Sequence, residues 1–210
     1  MLTVCCVQWG VKYSDAYVWN LYCQVEQWLS LPHQFLVLTD RPEHWRDKLV
    51  ALPLQGELPG WWNKLTLFNP EFYGLDGRIL YLDLDVVVVD WLDPIAEFDS
   101  PFACHRDFMR PREAATAVMV FEADSDMVRR LWQEFSKDPK MYMGLFHGDQ
   151  EFVDAHCCPD FLPQHWVVSY KLQATTQPPS GARVVCFHGQ PKPHECGGWV
   201  SSYWHAEVCG

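Results

Sequence analysis

Arg78-Ile79-Leu80-Tyr81-Leu82-Asp83-Leu84-Asp85-Val86-Val87-Val88-Val89 is the stretch on which the reading of this chain turns. Five residues of strong strand character run into two acids set two apart, and four valines follow. Apolar runs of this kind belong to a buried strand, where paired carboxylates need a cation or protons to be tolerated. Residues two apart in an extended chain point to the same side, so Asp83 and Asp85 are expected to present their carboxylates together while Leu84 packs the other way. A hard divalent cation, Mn²⁺ or Mg²⁺, suits such a pair. The competing reading is a solvated acidic turn, for which the flanking apolar runs are a poor setting.

Outward from this stretch the chain alternates. Toward the amino terminus, Leu2 to Trp9 predicts a strand and Ser14 to Ser30 a helix, capped by Ser14 or Asp15 and stopped before Pro32. Phe35 to Leu38 is a second strand ending in Thr39-Asp40, so the unit reads β-α-β. Residues 41–60 are punctuated by Pro and Gly, and Trp61 to Phe68 predicts a short helix closed by Asn69-Pro70. Toward the carboxyl terminus, strands are predicted at Phe102 to His105 and Ala117 to Phe121. A helix runs from Asp124 to Phe135, with Met127, Val128, Leu131, Trp132 and Phe135 on one face. A further helix starts near Gly148, and strands follow at Trp166 to Tyr170 and Arg183 to Phe187. Such alternation predicts an α/β sandwich around a largely parallel sheet, with ligands bound beyond the carboxyl ends of its strands. The length of 210 residues asks for one domain spanning 1–210.

A formal charge of −11 speaks against nucleic acid or an anionic membrane surface as partner. It also implies that a phosphate ligand arrives with a cation. No apolar run approaches the roughly 18 residues of a membrane span, and the amino terminus lacks a basic region followed by an apolar one. A cytoplasmic location is therefore expected. Nine cysteines, Cys209 among them, show no Cys-x-x-Cys spacing, so free thiols are expected throughout, with Cys186 set apart as a possible ligand. Trp61, Trp62, Trp199 and Trp204 are candidate ligand contacts or packing residues.

Two further constellations carry chemistry. Gly148-Asp149-Gln150 opens a helix that Asp149 could merely cap. His188-Gly189-Gln190-Pro191-Lys192-Pro193 follows a strand and couples a potential metal ligand to a phosphate-seeking ammonium, with a glycine for close backbone approach.

Tyr81-Leu82-Asp83-Leu84-Asp85, Gly148-Asp149-Gln150 and His188-Gly189-x-x-Lys192-Pro193 occur in the order seen in glycosyltransferase family 8, and across most of its length the chain resembles that family's retaining, glycogenin-type enzymes. The resemblance implies a single-domain GT-A (Rossmann-like) nucleotide-diphospho-sugar transferase fold with a mostly parallel mixed sheet. It implies that Asp83, Asp85 and His188 hold Mn²⁺ (or Mg²⁺) and that Gly189 and Lys192 bind the diphosphate. Tyr13 is then placed against the base, and Gln8, Lys64 and Thr116 are grouped with it as donor-binding. Asp149 would bind sugar hydroxyls and Gln150 would face the anomeric carbon. Where the family has His-Phe-x-Gly, this chain has Cys186-Phe187-His188-Gly189, which leaves Cys186 as the alternative ligand; imidazole suits Mn²⁺ better than a soft thiolate. Gly10 stands where an acidic residue often reads uracil, and Ala115-Thr116-Ala117 replaces an Asn-x-Gly turn.

The implied reaction is metal-dependent, retaining transfer of a sugar from a nucleoside diphosphate, in first place a UDP-sugar, to a hydroxyl of a glycan, lipid-linked or protein acceptor. One alternative is a haloacid-dehalogenase-type phosphatase with Asp83 as nucleophile, for which Val87 satisfies one expected position. Another is a non-catalytic nucleotide-sugar or carbohydrate-binding module.

Overall fold

The computed structural model describes residues 1–205, so Cys209 lies outside the described residues. Strand β1 (Leu2–Gln8) leads into helix α1 (Asp15–Trp28) and returns as β2 (His33–Thr39), in parallel register from Leu2 opposite His33 to Gln8 opposite Thr39. Tyr17, Val18, Leu21 and Val25 recur at helical spacing and bury one stripe of α1. Ser14 occupies the N-cap position without a side-chain cap bond, and Asp15 does not cap either: its carboxylate accepts from Gln8 Nε2 at 3.0 Å and pairs with His44 at 2.6 Å.

The irregular segment 41–60 hides β3 (Val50–Pro53), which pairs parallel with β2 and is short enough to escape a periodicity test. A 3₁₀ helix, Gly60–Phe68, then brings Trp62 and Lys64 inward. Strand β4 (Arg78–Leu82) joins β1 in parallel. Here the structure corrects the reading of the decisive stretch. The strand does not run on through the valines: residues 83–85 form a turn, and β5 (Val86–Val88) belongs to a different sheet.

Next come α2 (Asp93–Ala96), β6 (Phe102–Arg106), β7 (Ala114–Glu122), α3 (Asp126–Phe135), α4 (Pro139–Leu145), α5 (Asp149–His156) and β8 (Asp160–Phe161). Strand β9 (Val167–Ser169), α6 (Tyr170–Gln173) and β10 (Val184–Cys186) follow. The larger sheet has the order β3-β2-β1-β4-β7-β6-β8, with β3, β2, β1 and β4 parallel and β7 antiparallel to both its neighbours. The smaller sheet is β5-β10-β9, its centre fixed by Val184 opposite Val88 and Cys186 opposite Val86. This is the α/β fold with a mostly parallel mixed sheet that the sequence predicts.

One apolar cluster lies where α1, β1, β4 and the smaller sheet meet, and a second where the 60–68 helix, β6, β7, α3 and α5 meet. On α3 the buried residues are Val128, Leu131 and Phe135, with Met127 and Trp132 packed at their margin. Ring stacking of Trp62 on Phe135, 5.6 Å between centroids, joins two segments far apart in sequence.

Cys23 is disulfide-bonded, against the expectation of free thiols; spacing along the chain does not reveal pairs made by the fold. Cys5, Cys6, Cys104, Cys157, Cys158, Cys186 and Cys196 are free. No helix among the described residues is long and apolar enough to cross a membrane.

Leu80 sits mid-way along β4 with no exposed surface. Leu80→Ala is expected to lower the unfolding free energy by about 2–5 kcal/mol, read as a lower midpoint at unchanged slope in a denaturant titration.

Candidate active site

The turn at residues 83–85 is held by a backbone bond on each side. Asp83 N–H donates to Ala117 O at 2.9 Å, closing the larger sheet, and Asp85 O accepts from Phe187 N–H at 3.0 Å, opening the smaller one. Leu84 between them is 2% exposed and locks into the core. The two acids therefore share one place because both sheets meet there, not because the chain is extended.

Each carboxylate has a lysine. Lys64 Nζ lies 3.1 Å from Asp83 Oδ1 and 3.3 Å from Asp149 Oδ2, and it reaches Thr116 Oγ1 at 3.4 Å. Thr116 in turn donates to Asp149 Oδ2 at 2.5 Å. Tyr81 Oη donates to Asp83 Oδ1 at 2.8 Å. On Asp85, Tyr13 Oη (2.8 Å) and the Lys192 ammonium both donate to the same oxygen, Oδ2. Lys192 also donates to Phe187 O at 3.0 Å.

Burial lowers the tendency of Lys64 to carry charge, but Asp149 and Asp83 outweigh it and hold the ammonium above its ordinary range. Burial pushes the Asp83 carboxyl up to about 6, with Asp85 and Asp149 adding to the rise and Lys64 and Tyr81 opposing it. Burial, then Asp85, raises the Tyr13 phenol, so it stays a donor.

Thr116 is turned inward by an irregularity in β7. The pairing with β6 jumps from Cys104–Met119 to His105–Ala115, a bulge of the kind that re-aims a side chain beside a site. Asp149 is the first residue of α5, with Gly148 at the N-cap, and the residue is 4% exposed; the helix-capping alternative is not what the structure shows.

Two cavities adjoin the turn. One, of about 210 Å³, is lined by Trp9, Lys12, Tyr13, Trp61, Lys64, Tyr81, Asp83 and Asp85. The other, of about 310 Å³, shares Lys64, Asp83 and Asp85 and adds His105, Asp107, Phe108, Thr116, Gln150, Cys186 and His188. Gln150 Nε2 donates to Asp107 Oδ2 at 3.1 Å, which sets its amide on the wall of this second cavity.

Of the expected residues, Tyr13, Lys64, Asp83, Asp85, Thr116, Asp149, Gln150 and Lys192 are brought together. Gln8 is not placed as expected, and Gly189 and His188 have neighbours of their own. Gln8 is consumed by structure: Oε1 accepts from Trp45 Nε1 at 2.9 Å and Nε2 donates to Asp15, so it has no spare group for a donor. Gly189, at φ +68°, supplies the left-handed bend that follows His188, and a Cβ there would stand 2.9 Å from Lys171 Nζ. His188 lines the second cavity, but its Nε2 sits 2.7 Å from Ser169 Oγ and its ring stacks on Phe108.

The Cys186 thiol is buried on the wall of the second cavity, within electrostatic reach of Asp85 and Asp83. Burial, then those two carboxylates, keeps it protonated and a poor ligand. No three His, Cys, Asp or Glu side chains among the described residues are placed to hold a metal ion. A cage made wholly of protein does not fit. Two hard carboxylates on one turn, facing cavities roomy enough for phosphate oxygens and waters, do fit Mn²⁺ or Mg²⁺. Asp107, His105 and Phe108 were missed; they lie at or just past the carboxyl end of β6, which the sequence places at His105, so the strand-end rule could have found them.

No protein-family model and no curated protein matches this chain. Solved structures do. The glycosyltransferase GlyE of Streptococcus pneumoniae TIGR4 superposes with a TM-score of 0.73 at 15% identity, over 97% of this chain and 60% of GlyE. The galactosyltransferase LgtC, solved in complex with donor and acceptor sugar analogues, gives 0.69 at 15% identity, over 96% of this chain and 93% of its own. The bifunctional glycosyltransferase WbbM gives 0.68 at 10% identity, over 96% of this chain and 48% of WbbM. The chain thus spans about three-fifths of GlyE and about half of WbbM. The chain shares the α/β fold of these glycosyltransferase structures.

Two measurements check the structural assignments. Gln8→Ala orphans the buried Trp45 N–H and is expected to cost about 1–3 kcal/mol of stability in a denaturant titration; a variant as stable as the parent contradicts the role given to Gln8. His105 is 3% exposed, with Nδ1–H donating to Arg106 O and Nε2 unpartnered. Burial lowers its pKa from 6.5 to about 4, with Lys64 and His188 adding to the fall and the Arg106 carbonyl and Asp107 opposing it. Between those values the unfolded chain binds a proton that the native chain refuses, so stability falls as the pH drops from 6.5 toward 4 and the loss levels off below. This component amounts to about 3 kcal/mol and should vanish in His105→Gln.

Proposed function

We propose that this protein is a glycosyltransferase that moves a sugar from a nucleoside diphosphate, in first place a UDP-sugar, to a hydroxyl acceptor with retention at the anomeric carbon. The observation that carries this is the clamped Asp83–Asp85 turn between two adjoining cavities, with Lys64, Lys192, Asp149, Thr116 and Gln150 converging on it in a GT-A fold. LgtC, of like fold, binds donor and acceptor sugar analogues, and the two adjoining cavities here give room for a nucleotide and its sugar.

Tyr13 and the Trp9 and Trp61 rings give the smaller cavity flat faces for a base, while the larger cavity offers hydroxyl-binding groups for the sugar. Asp149 has an oxygen fixed by Thr116 and Lys64, which suits it to orient sugar hydroxyls rather than to attack carbon. Gln150, held by Asp107, sets an amide beside the reacting centre. Lys192 and Lys64 place two ammonium groups where the diphosphate leaves, and in a buried site such charges act at low dielectric. Mn²⁺ or Mg²⁺ held by Asp83 and Asp85 would neutralise charge on the departing diphosphate. With no free carboxylate aligned as nucleophile among the described residues, retention is best served by attack on the face the diphosphate leaves, its oxygen taking the acceptor proton.

A panel of UDP-, GDP-, CDP- and dTDP-sugars with Mn²⁺ should show one donor that raises the melting temperature and is slowly hydrolysed. Asp149→Asn is expected to slow that turnover by about 10²- to 10³-fold while the protein stays folded. Turnover preserved in that variant, or no response to any donor, rejects the proposal.

A further inference from the structure

A separate cavity of about 350 Å³ lies between the end of the 60–68 helix and one face of α3, and it shares no lining residue with the two cavities at the turn. Phe68, fully buried, floors it. Arg129, Trp132 and Gln133 stand at i, i+3 and i+4 on α3, so they line it from one helix face, with Asn69 and Glu71 opposite. The Trp132 ring is braced: Phe72 meets it edge-on at 5.0 Å between centroids, and Phe135 lies at 6.1 Å. Asn69 Oδ1 accepts from Glu71 N–H at 3.2 Å, which leaves the Asn69 amide N–H groups to donate. Among the described residues, the side chains of Glu71, Arg129 and Gln133 and the Trp132 indole N–H make no hydrogen bond or ion pair. Glu71 and Arg129 carry opposite charges on one cleft and still do not pair with each other.

We propose that this cleft is a second carbohydrate site, apart from the catalytic cavities, and that it takes a neutral oligosaccharide. A sugar ring has an apolar C–H face that suits an indole, and its hydroxyls both donate and accept. The cleft meets both needs: Glu71 only accepts, whereas Arg129, the Asn69 and Gln133 amides and the Trp132 indole supply donors. One charge of each sign leaves the cleft neutral, and the Glu71 carboxylate disfavours phosphate or sulfate. A braced indole loses little freedom when a ligand lies against it, which keeps the cost of binding low. The volume falls within the range of about 300–1,000 Å³ usual for ligand sites. The site is built from residues that the proposed transfer does not use, so it stands whether or not that reading does. In a transferase it would hold a glycan close to the catalytic cavities and raise its effective concentration there.

The test applies the labelled full chain to an array of short oligosaccharides, neutral ones of glucose, galactose, mannose and N-acetylglucosamine beside sulfated and sialylated ones, and carries the best neutral binder into calorimetry. Saturating UDP with Mn²⁺ is expected to leave that affinity unchanged, whereas Glu71→Ala and Arg129→Ala each lower it about 10- to 100-fold. Trp132→Ala should abolish binding. Glu71 and Arg129 are exposed, so their variants keep the test decisive even if Trp132→Ala fails to fold, and thermal unfolding checks all three. An array on which no neutral oligosaccharide binds overturns the inference, as does tighter binding of the acidic ones. Binding that UDP displaces and that Glu71→Ala and Arg129→Ala leave unchanged also overturns it, because the sugar then sits in the cavities at the turn; the transferase reading survives that result. A peptide array that binds where the sugars do not, with loss in the same variants, marks a peptide site and overturns it as well. If no nucleotide binds, the transferase reading fails, and the Glu71→Ala and Arg129→Ala measurements decide the carbohydrate site by themselves.

Discussion

A three-residue turn hung between two sheets is the constraint on which the site depends. Asp83 N–H completes the ladder of the seven-stranded sheet on Ala117, and Asp85 O starts the ladder of the three-stranded sheet on Phe187. With Leu84 buried at the same point, the backbone between the carboxylates has no freedom to relax. Every other functional side chain is arranged around that fixed point. Tyr81 comes from the strand before the turn and Lys192 from the segment after the strand that pairs with β5.

Fixing carboxylates inside a fold is costly unless their charge is answered locally. This protein answers it from segments remote in sequence: Lys64 from a 3₁₀ helix, Thr116 from a bulged strand and Asp149 from the first turn of a helix meet within hydrogen-bond distance. Such a network favours one arrangement strongly, because each member left unpaired at low dielectric would carry the full penalty. The arrangement that results is a rigid polar floor beneath two cavities. A rigid polar floor is what positioning catalysis needs, since orientation made in advance is not lost again at the transition state.

Much of this was legible from residues alone. The strand–helix–strand opening and the parallel character of the sheet follow from periodicity, and Asp83, Asp85 and Lys192 stand out as acids set inside apolar runs and a lysine between prolines, whereas Asp149 is picked out by the family resemblance alone. Other inferences failed for identifiable reasons. Gln8 stands at a strand end, where donors bind, yet Trp45 and Asp15 claim its amide, and a hydrogen bond across 37 residues leaves no trace in spacing. His188 does share the second cavity with Asp83 and Asp85, and there its Nε2 meets Ser169 Oγ, a contact that spacing along the chain does not show. The extended geometry assumed for Asp83 and Asp85 is absent, although their proximity survives because the change of sheet supplies it.

What the sequence determined by itself is local: which runs are apolar at which period, where glycine and proline interrupt them, and which acids and lysines stand where an apolar setting makes charge expensive. Those features decided the fold class and singled out Asp83, Asp85, His188 and Lys192, while Tyr13, Lys64, Thr116, Asp149 and Gln150 came from the family resemblance. Only the tertiary structure decided which groups are partners: that the valine run crosses to a second sheet, that Lys64 serves Asp83 and Asp149 together, that Lys192 closes on Asp85, and that Gln8 and His188 are engaged elsewhere. The physical reason is range. Propensity and periodicity act within a few residues and are written along the chain, whereas a hydrogen bond or ion pair acts within about 3 Å in space, between residues that only the completed packing of both sheets brings together.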